Sequence, residues 1–483
     1  MILLFLSQSY ASDIFVSPGE SIQEAINNAV AGDSIIISGG EYEAELVTIS
    51  GGTEAEPILI TAAEGEEVVL TTSGEVLQIE HPWIVVSGII FDGQFGSKDI
   101  IDVRAGSDNL HLKNIEVRNS SKDCIDIKES SNITIEDALI HHCLNWENGE
   151  RKDAHGIVAG YTPNLTIRNT EIHTFSGDGI QIDPDRIEPG WDNVLIEDTV
   201  IWLAPMDSDT NGVPSGTVPG ENALDTKTWD DNTTRSRITI RRVTAHGFRS
   251  GEIENQAAFN IKESVEASFD KVFVYDSEIA FRLRGPGRDI GASVHITNTI
   301  IYDVDIAFRY EDNIEDLNIW NVTLGQEVLN PFVEASSEQT IPDVRNLLLF
   351  GTEIPTEASA QSNIYVDATA FVDVENHDYH LSSFSTAIDA GEEISSITDD
   401  MDGLSRPSGE SFDIGAYEFQ SESDNNNEDD TAVPQEPTED EQAPEEPKSS
   451  GACSSFNQAP HSLFLCFSLL WIGRRKATSP YLE

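Results

Sequence analysis

The chain has 483 residues, of which 28 are Lys or Arg and 86 are Asp or Glu, so its formal net charge is −58. A surface this acidic repels phosphate backbones and anionic lipids, which argues against nucleic acid as a partner and against polybasic membrane binding. Hydrophobic residues make up 39% of the chain, too many for an intrinsically disordered protein. We therefore expect a folded protein, and we expect it to be a monomer.

Residues 1–12, MILLFLSQSYAS, form a short apolar run followed by small residues, with a candidate cleavage position after Ala11. This pattern resembles the second half of a secretion signal and predicts a truncated signal peptide. We therefore expect the protein outside the cell.

The first predicted structural element is a short helix after residue 20. Ser21 and Glu24 have the spacing of a capping box, and apolar residues recur on one helical face of the segment that follows. Gly32 is the expected end of the helix, because glycine is favoured just beyond a helix C-terminus.

Residues 13–375 contain two kinds of short segment that repeat along the chain. Copies of the first kind begin at Asn109, Asn132, Asn164, Asn193, Arg237, Ser268, Ser293 and Leu317. Copies of the second kind begin at Asp123, Asp178, Asn222, Ala258, Ile279 and Ile306. Apolar and polar residues alternate in these segments as in β-strands, and the spacing of the copies indicates the coils of a solenoid. The sequence therefore predicts an all-β protein, a right-handed parallel β-helix whose first coil is covered by the N-terminal helix.

Both ends of the repeat region resemble known β-helix proteins. Residues 17–42, SPGESIQEAINNAVAGDSIIISGGEY, are similar to the start of the pectate-lyase-like β-helix superfamily. Residues 376–420 contain YHLSSFSTAIDAG, DMDGLSRP and DIGAYEF, which resemble the C-terminal closing module of many secreted bacterial β-helix proteins. The resemblance implies the fold and export. It does not imply one chemistry, because this fold carries lyases, hydrolases, epimerases and adhesins.

The C-terminal tail contains two further predicted segments. Residues 421–450 are acidic and rich in Pro and Glu, which predicts a disordered linker. Residues 451–483 contain Cys453, an apolar stretch and then Arg474-Arg475-Lys476, an order that resembles bacterial surface-sorting tags. We expect anchoring to the cell surface, with a frayed tail as the alternative.

The four cysteines are Cys124, Cys143, Cys453 and Cys466, and their spacing does not match a zinc site. For Cys124 and Cys143 we favour buried free thiols over a disulfide.

The second kind of segment predicts a column of charged side chains on one face of the solenoid. Its apolar residues point inward, so the alternate residues point outward, and equivalent positions of successive coils stack on each other. Lys227, Lys262 and Arg284 are then neighbours, with Arg282 beside them and Asp183 below. Stacked like charges are destabilising unless acids or an anionic ligand lie between them.

One interpretation of the column is structural, namely an ionic ladder in which Asp225, Asn260, Glu252 and Glu254 neutralise the cations. The functional interpretation is β-elimination on a uronic-acid polysaccharide, an anionic partner. This reaction needs a cation to neutralise the sugar carboxylate, a base for the adjacent proton, and assistance for the leaving oxygen. Because neighbouring cations favour the neutral amine of a lysine, Lys262 is the expected base and Lys227 the alternative. The other expected residues are Arg284 to stabilise the anion, and Arg282, Arg309 and His155 as substrate contacts.

Residues of the column resemble one enzyme family. Asn260-Ile261-Lys262-Glu263-Ser264, followed by Leu283-Arg284-Gly285, is similar to the alginate-lyase and chondroitinase-B family of calcium-dependent polysaccharide lyases. The resemblance implies Lys262 as base, Arg284 as its partner, and Ca²⁺ bound by Asp225, Glu252 and Glu254. Two positions depart from the pattern: Ala257 stands where an acid is expected, and Pro286 where a histidine is expected.

Two further resemblances point to other sites. Asp178, Asp183, Asp225, Glu221 and Lys227 resemble a second β-helix lyase family, in which clustered acids bind calcium and a lysine is the base. The segment DCIDIK at 123–128, with His155 as a candidate base, resembles polygalacturonase-type hydrolases, which use carboxylates as acid and base. A non-catalytic surface protein that binds glycans or partners is the remaining alternative.

Overall fold

The computed structural model describes residues 11–420 except positions 187, 189, 230–233, 285–289, 312–313, 337–339, 352 and 360–361. The predicted linker 421–450, the predicted sorting tail 451–483 and all but the last two residues of the predicted signal 1–12 lie outside the described residues. These three interpretations stay predictions. In the described part of the chain, no helix is long and apolar enough to cross a membrane.

Short parallel strands wind into a solenoid, and each strand pairs with the equivalent strand of the next coil. The predicted right-handed parallel β-helix is therefore confirmed. Within the described residues, two large sheets enclose the core. The eleven-strand sheet contains Leu46–Val47, Leu77–Ile79, Ile101–Val103, Ile125–Ile127, Ile157–Ala159, Ile180–Ile182, Leu224–Thr226, Ala257–Ile261, Ser277–Leu283, Val304–Tyr310 and Val328–Glu334.

The nineteen-strand sheet forms the rest of the solenoid wall. Its strands are Asp13–Val16, Ser34–Ile37, Gly40–Glu43, Ile58–Ala62, Val68–Thr71, Ile84–Ser87, Ile89–Gly96, His111–Ser120, Thr134–Cys143, Thr166–Arg168, Glu171–Phe175, Val194–Trp202, Ser236–His246, Val265–Asp270, Phe273–Tyr275, Ser293–Ile301, Asp316–Leu324, Asp343–Phe350 and Ile364–Val366. Two hairpins lie outside these sheets: Asn145–Glu147 pairs with Glu150–Lys152, and Phe371–Asp373 pairs with Asp378–Leu381. Short 3₁₀ helices cover Thr356–Ala358, Ala368–Ala370 and Val374–Asn376.

Long strands of the nineteen-strand sheet are interrupted by Asn or Asp in the left-handed region of backbone space. Asn114, Asp137 and Asp198 have φ values of 49°, 53° and 50°. The pairing register omits these positions, so the strand changes direction there. Asn and Asp tolerate positive φ better than other side chains, which explains why they recur at this corner of the coil.

The core consists of aliphatic residues with a stack of aromatic rings toward the C-terminal coils. Phe259, Phe281, Phe308 and Phe332 come from successive strands of the eleven-strand sheet, and neighbouring ring centroids are 5.3, 5.6 and 5.2 Å apart. Phe281 is fully buried. The stack follows from the register, because one inward residue of each strand lies above the same residue of the strand before it.

A helix at Ile22–Asn28 precedes the solenoid strands of the second coil. The Glu24 amide donates a hydrogen bond to Ser21 Oγ at 3.1 Å, as the capping box predicts. Ile22, Ala25 and Ile26 are buried in the core. The helix ends at Asn28, one turn before the predicted stop at Gly32. Its role as a cover for the first coil stays a prediction.

The prediction of free thiols at Cys124 and Cys143 is wrong. A disulfide joins the two residues, whose Cα atoms are 5.7 Å apart. Cys124 lies just before strand Ile125–Ile127, and Cys143 ends strand Thr134–Cys143. The winding of one coil brings these ends together inside the core, a proximity that their separation in sequence does not reveal.

We expect Phe281→Ala to destabilise the protein by about 3–5 kcal/mol, because it leaves a cavity in the middle of the phenylalanine stack. Denaturant unfolding followed by circular dichroism measures the change. The matched control is Phe15→Ala, since Phe15 is 68% exposed, and we expect its effect to stay within about 0.5 kcal/mol. Equal losses for the two variants would contradict the proposed packing.

Candidate functional site

The charged column lies on the outward face of the eleven-strand sheet. The pairing register aligns Asp225 with Asn260, Asn260 with Arg282, and Arg282 with Arg309. Two residues further along each strand come Lys227, Lys262 and Arg284. Their side chains are 24%, 14% and 33% exposed, so all three reach the surface of the solenoid. The structure therefore places these cations on successive rungs of one sheet.

Asp225 is shared by two lysines of the column. Lys262 Nζ lies 2.9 Å from Asp225 Oδ1, and Lys227 Nζ lies 3.5 Å from Asp225 Oδ2. Trp191 holds the backbone here, because its indole N–H donates to the Lys227 carbonyl at 2.7 Å. One carboxylate thus pairs with two lysines, so cations exceed carboxylates at this point of the column.

Three arginines continue the column on the C-terminal coils, and one carboxylate pairs with two of them. Glu311 Oε1 lies 2.8 Å from Arg284 Nε and 3.8 Å from Arg309 Nη1. Arg282 makes one long contact, at 3.5 Å from Nη1 to the Asn255 carbonyl. Burial, with the charges of Arg284 and Arg309, lowers the pKa of Arg282 below its ordinary value. Guanidinium groups are therefore in excess over carboxylates in this described part of the column.

The acids predicted as metal ligands are engaged by other groups. Asp178 accepts from the Asn222 side chain at 2.7 Å and from the Gln181 side chain at 2.8 Å. Burial, together with the charge of Asp225, raises the pKa of Asp178 to about 7. Glu221 pairs with Arg151, while burial and the charge of Asp178 raise its pKa.

The remaining predicted ligands do not join these acids in one cluster. Glu252 and Glu254 are exposed on the loop before strand Ala257–Ile261, and Asp183 is fully buried. Among the described residues there is no group of three or more acidic, histidine or cysteine side chains that could hold a metal ion. As placed, these residues do not fit a calcium site, since Asp225 is already bound by two lysines. Calcium stays a prediction from sequence that these contacts do not support.

A cleft of about 370 Å³ opens on the N-terminal side of the column. Asp123, Asp126 and His155 line it, together with Gln181 from the rung below the lysines. Burial raises the pKa of Asp123 to about 6, and burial also raises the pKa of Asp126, which lies 2.8 Å from Lys128. Sequence analysis identified these residue types, but their convergence in one cleft was not apparent from their spacing.

His155 is fixed in this cleft by backbone hydrogen bonds. The Asp178 amide donates to His155 Nδ1 at 2.7 Å, and the His155 amide donates to Asp123 Oδ1 at 2.9 Å. Because Nδ1 accepts a hydrogen bond, the neutral ring carries its proton on Nε2. His155 is thus a donor in the cleft, and the strand that follows it lies four rungs from the strand of Arg282.

Two insertions, 205–220 and 249–256, precede strands Leu224–Thr226 and Ala257–Ile261 of the eleven-strand sheet. Met206 and Val213 of the insertion 205–220 pack with Leu144 into a small apolar cluster, against which Phe95 and Trp146 also pack. Arg249, in the insertion 249–256, lies 3.0 Å from Asp303. These contacts hold the two insertions against neighbouring parts of the solenoid.

We expect Asp178→Asn to alter the pH dependence of stability. Burial raises the pKa of Asp178 from 3.8 to about 7, so its protonated form stabilises the fold and that contribution is lost as the pH rises through this range. The substituted amide does not titrate, so this loss is absent in the variant. The Tm difference, variant minus wild type, should therefore increase between about pH 5 and about pH 8. Differential scanning calorimetry at both pH values measures this. A constant Tm difference would contradict the interpretation.

Two protein-family models match parts of the N-terminal half of the chain. The family model described as chondroitinase B matches residues 16–140, and the model described as right-handed β-helix region matches residues 96–201. Neither match includes Lys227, Lys262 or Arg284. A comparison with proteins of curated function gave no match.

Among solved structures, pectate lyase Pel9A is 15% identical, with 85% of this chain and 97% of that chain covered and a TM-score of 0.49. An alginate lyase from Paenibacillus sp. str. FPU-7 is 16% identical, with coverages of 63% and 99% and a TM-score of 0.44. A rhamnogalacturonan lyase is 12% identical, with coverages of 76% and 92% and a TM-score of 0.47. The solenoid, together with the right-handed β-helix model that matches residues 96–201, identifies the fold of the chain as a right-handed parallel β-helix.

Proposed function

We propose that this protein is an exported polysaccharide lyase that cleaves an acidic polysaccharide by β-elimination. The observation that carries the proposal is the excess of cations in the column. Lys227, Lys262, Arg282, Arg284 and Arg309 lie on consecutive rungs, and their ion pairs within the described residues are with Asp225 and Glu311. In a chain of net charge −58, this is a place where an anionic polymer can bind. The match of residues 16–140 to the chondroitinase B model supports the same class of substrate.

The arginines bind the uronate carboxylate in the proposed mechanism. A guanidinium group forms strong, charge-assisted hydrogen bonds with a carboxylate. Arg282 and Arg309 each have a buried nitrogen without a hydrogen-bond partner in the described structure, Nε and Nη1 respectively. Neutralising the carboxylate makes the proton on the adjacent carbon more acidic, which is the first requirement of β-elimination.

Lys262 is the proposed base, because it lies on the rung next to Arg282. In the proposed step, the neutral amine of Lys262 takes the proton from the carbon beside the carboxylate. The electron pair of that bond forms the double bond of the product, and the bond to the leaving oxygen breaks. The ammonium group of Lys227, one rung away, supplies the proton that the leaving oxygen takes up.

Export and surface attachment are further parts of the proposal. The disulfide between Cys124 and Cys143 supports export, because structural disulfides form and persist in oxidising compartments. The apolar residues 1–12 and the tail 451–483 support secretion and anchoring by the sequence patterns described above. We retain the monomer as the expected state.

We expect Lys262→Ala to lower kcat by at least about 100-fold, because it removes the proton acceptor. The assay follows the ultraviolet absorbance of the unsaturated product with alginate, polygalacturonate and unsulfated chondroitin as substrates. Lys113→Ala is the control, since Lys113 lies on the nineteen-strand sheet and pairs with Glu136 at 3.0 Å. Full activity of Lys262→Ala would assign the base to Lys227. Wild-type protein that releases no unsaturated product from any polymer would refute the lyase and leave glycan binding.

We expect lyase activity to persist in the presence of a calcium chelator. Asp225 is bound by Lys227 and Lys262, so the cations of the column are the groups available to neutralise the uronate. The measurement is the initial rate with EDTA, compared with the rate in added Ca²⁺. Complete loss of activity with EDTA, restored by Ca²⁺, would show instead that a metal site forms with the substrate.

A glycoside hydrolase is the second candidate, and one observation favours it. Asp123, with its pKa raised to about 6, lines the same cleft as Asp126 and His155. A raised carboxyl pKa suits a general acid, and a second carboxylate can act as base or nucleophile. Release of reducing ends without ultraviolet absorbance, abolished by Asp123→Asn, would establish hydrolysis at this cleft.

A further inference from the structure

The outward face of the eleven-strand sheet is divided by charge along the solenoid axis. On the C-terminal side of the Asn260 rung, Arg282 and Arg309 occupy the central line of the sheet. On the N-terminal side, the same line contains Asp225, Gln181, Val158 and Asp126. The sign of the charged residues therefore changes at the rung that contains Lys262.

On the C-terminal side of this division, arginine nitrogens are available to bind an anion. Arg282 Nε and Arg309 Nη1 are buried nitrogen atoms without a hydrogen-bond partner in the described residues. Glu311 is the carboxylate paired with Arg284 and Arg309 there. Buried donors of this kind normally have partners, so their state points to a ligand that accepts hydrogen bonds and carries negative charge.

The N-terminal side has the opposite character. The cleft of about 370 Å³ is lined by four acids and one lysine, Asp123, Asp126, Glu129, Asp185 and Lys128. Lys128 is already shared between Asp126 at 2.8 Å and Asp102 at 3.3 Å. A sugar carboxylate or sulfate in this cleft would lie among like charges, which costs binding free energy.

The cleft nevertheless offers groups that suit a neutral sugar. Gln181 and His155 line it, and His155 carries its proton on Nε2 because Nδ1 accepts from the Asp178 amide. Amide groups, neutral imidazole and carboxylates all form hydrogen bonds with hydroxyl groups. An uncharged sugar can therefore bind where an acidic one is repelled.

The distance along the column allows one glycan to contact both halves. Asp126 and Arg282 are five rungs apart in the register, which corresponds to about 24 Å at the strand spacing of about 4.8 Å. Lys262 lies between them, on the rung next to Arg282. A chain of a few sugars lying along the column would place one end among the arginines and the other in the acidic cleft.

We infer that the substrate is a heteropolysaccharide in which the uronate held by the arginines is linked to uncharged, unsulfated sugars that occupy the acidic cleft. This inference rests on the proposed function, because it assigns the substrate of the same column. It predicts discrimination against homopolymers of uronic acid, since these would carry a carboxylate into the cleft at every sugar.

The experiment compares two unsulfated alternating polymers, hyaluronan and unsulfated chondroitin, with two homopolymers, alginate and polygalacturonate. We expect kcat/KM to favour an alternating polymer by at least about tenfold at low ionic strength, and the preference to decline in salt because exposed charges are screened. A higher kcat/KM for either homopolymer than for both alternating polymers would overturn the inference and leave the lyase intact.

A charge-removal variant tests the cleft directly. Glu129 and Asp185 are exposed, so the double substitution Glu129→Gln with Asp185→Asn should fold normally. We expect it to lower the ratio of kcat/KM for the alternating polymers to kcat/KM for the homopolymers about three- to tenfold, because kcat/KM for the homopolymers increases. Glu266→Gln removes one exposed charge from the nineteen-strand sheet and should keep the wild-type preference. An unchanged preference in the double variant would contradict the role of the acidic cleft.

Binding separates failure of this inference from failure of the lyase proposal. Affinity electrophoresis of Lys262→Ala in gels that contain each polymer reports binding without cleavage. Preferential retardation by an alternating polymer supports the inference even if no polymer is cleaved. Equal or stronger retardation by the homopolymers refutes it whatever the outcome of the activity assay.

Discussion

Parallel pairing in register is the constraint on which the whole charged column depends. Each strand of the eleven-strand sheet adds one central side chain to the same outward line, so residues as distant in sequence as Asp225 and Arg309 come to lie a few rungs apart. A shift of one residue in any strand would turn its outward side chain into the core and its core residue outward. The inward phenylalanine stack has ring centroids 5.2 to 5.6 Å apart. Because this packing sets the register of the strands, it also determines where the outward charged side chains lie.

The electrostatics of the site follow from how few carboxylates the column contains. Asp225 serves two lysines, and Glu311 is within ion-pair distance of two arginines. Full pairing of every cation would have produced a structural ladder with no capacity left for a ligand. Partial pairing instead keeps the lysines oriented and leaves guanidinium nitrogens without hydrogen-bond partners among the described residues. The surface elsewhere on the protein is acidic, so the electrostatic potential changes sign at this basic segment. An anionic polymer is attracted to the segment and repelled by the surface around it.

The sequence predicted correctly those features that depend on the local alternation of apolar and polar residues. Alternation of apolar and polar residues placed Lys227, Lys262 and Arg284 at equivalent positions, because a strand determines which side chains point outward within a few residues. The sequence did not predict contacts that depend on the path of the chain around a coil. The disulfide of Cys124 and Cys143 requires knowledge of the Cα separation across one coil. Likewise, Glu252 and Glu254 are near Lys262 in sequence but lie exposed on the loop that precedes its strand. The convergence of Asp123, Asp126 and His155 in one cleft also depends on coil geometry, which composition and spacing do not specify.

The insertion 205–220 has a small apolar core of its own. Its Met206 and Val213 pack with Leu144 into a cluster distinct from the solenoid interior, so the insertion is stabilised without contributing to the stacking of rungs. Loops of this kind tolerate changes in length far better than strands do. Evolution can therefore lengthen or shorten this insertion, and so reshape the solvent-facing surface next to the solenoid, while the register that builds the charged column is inherited unchanged.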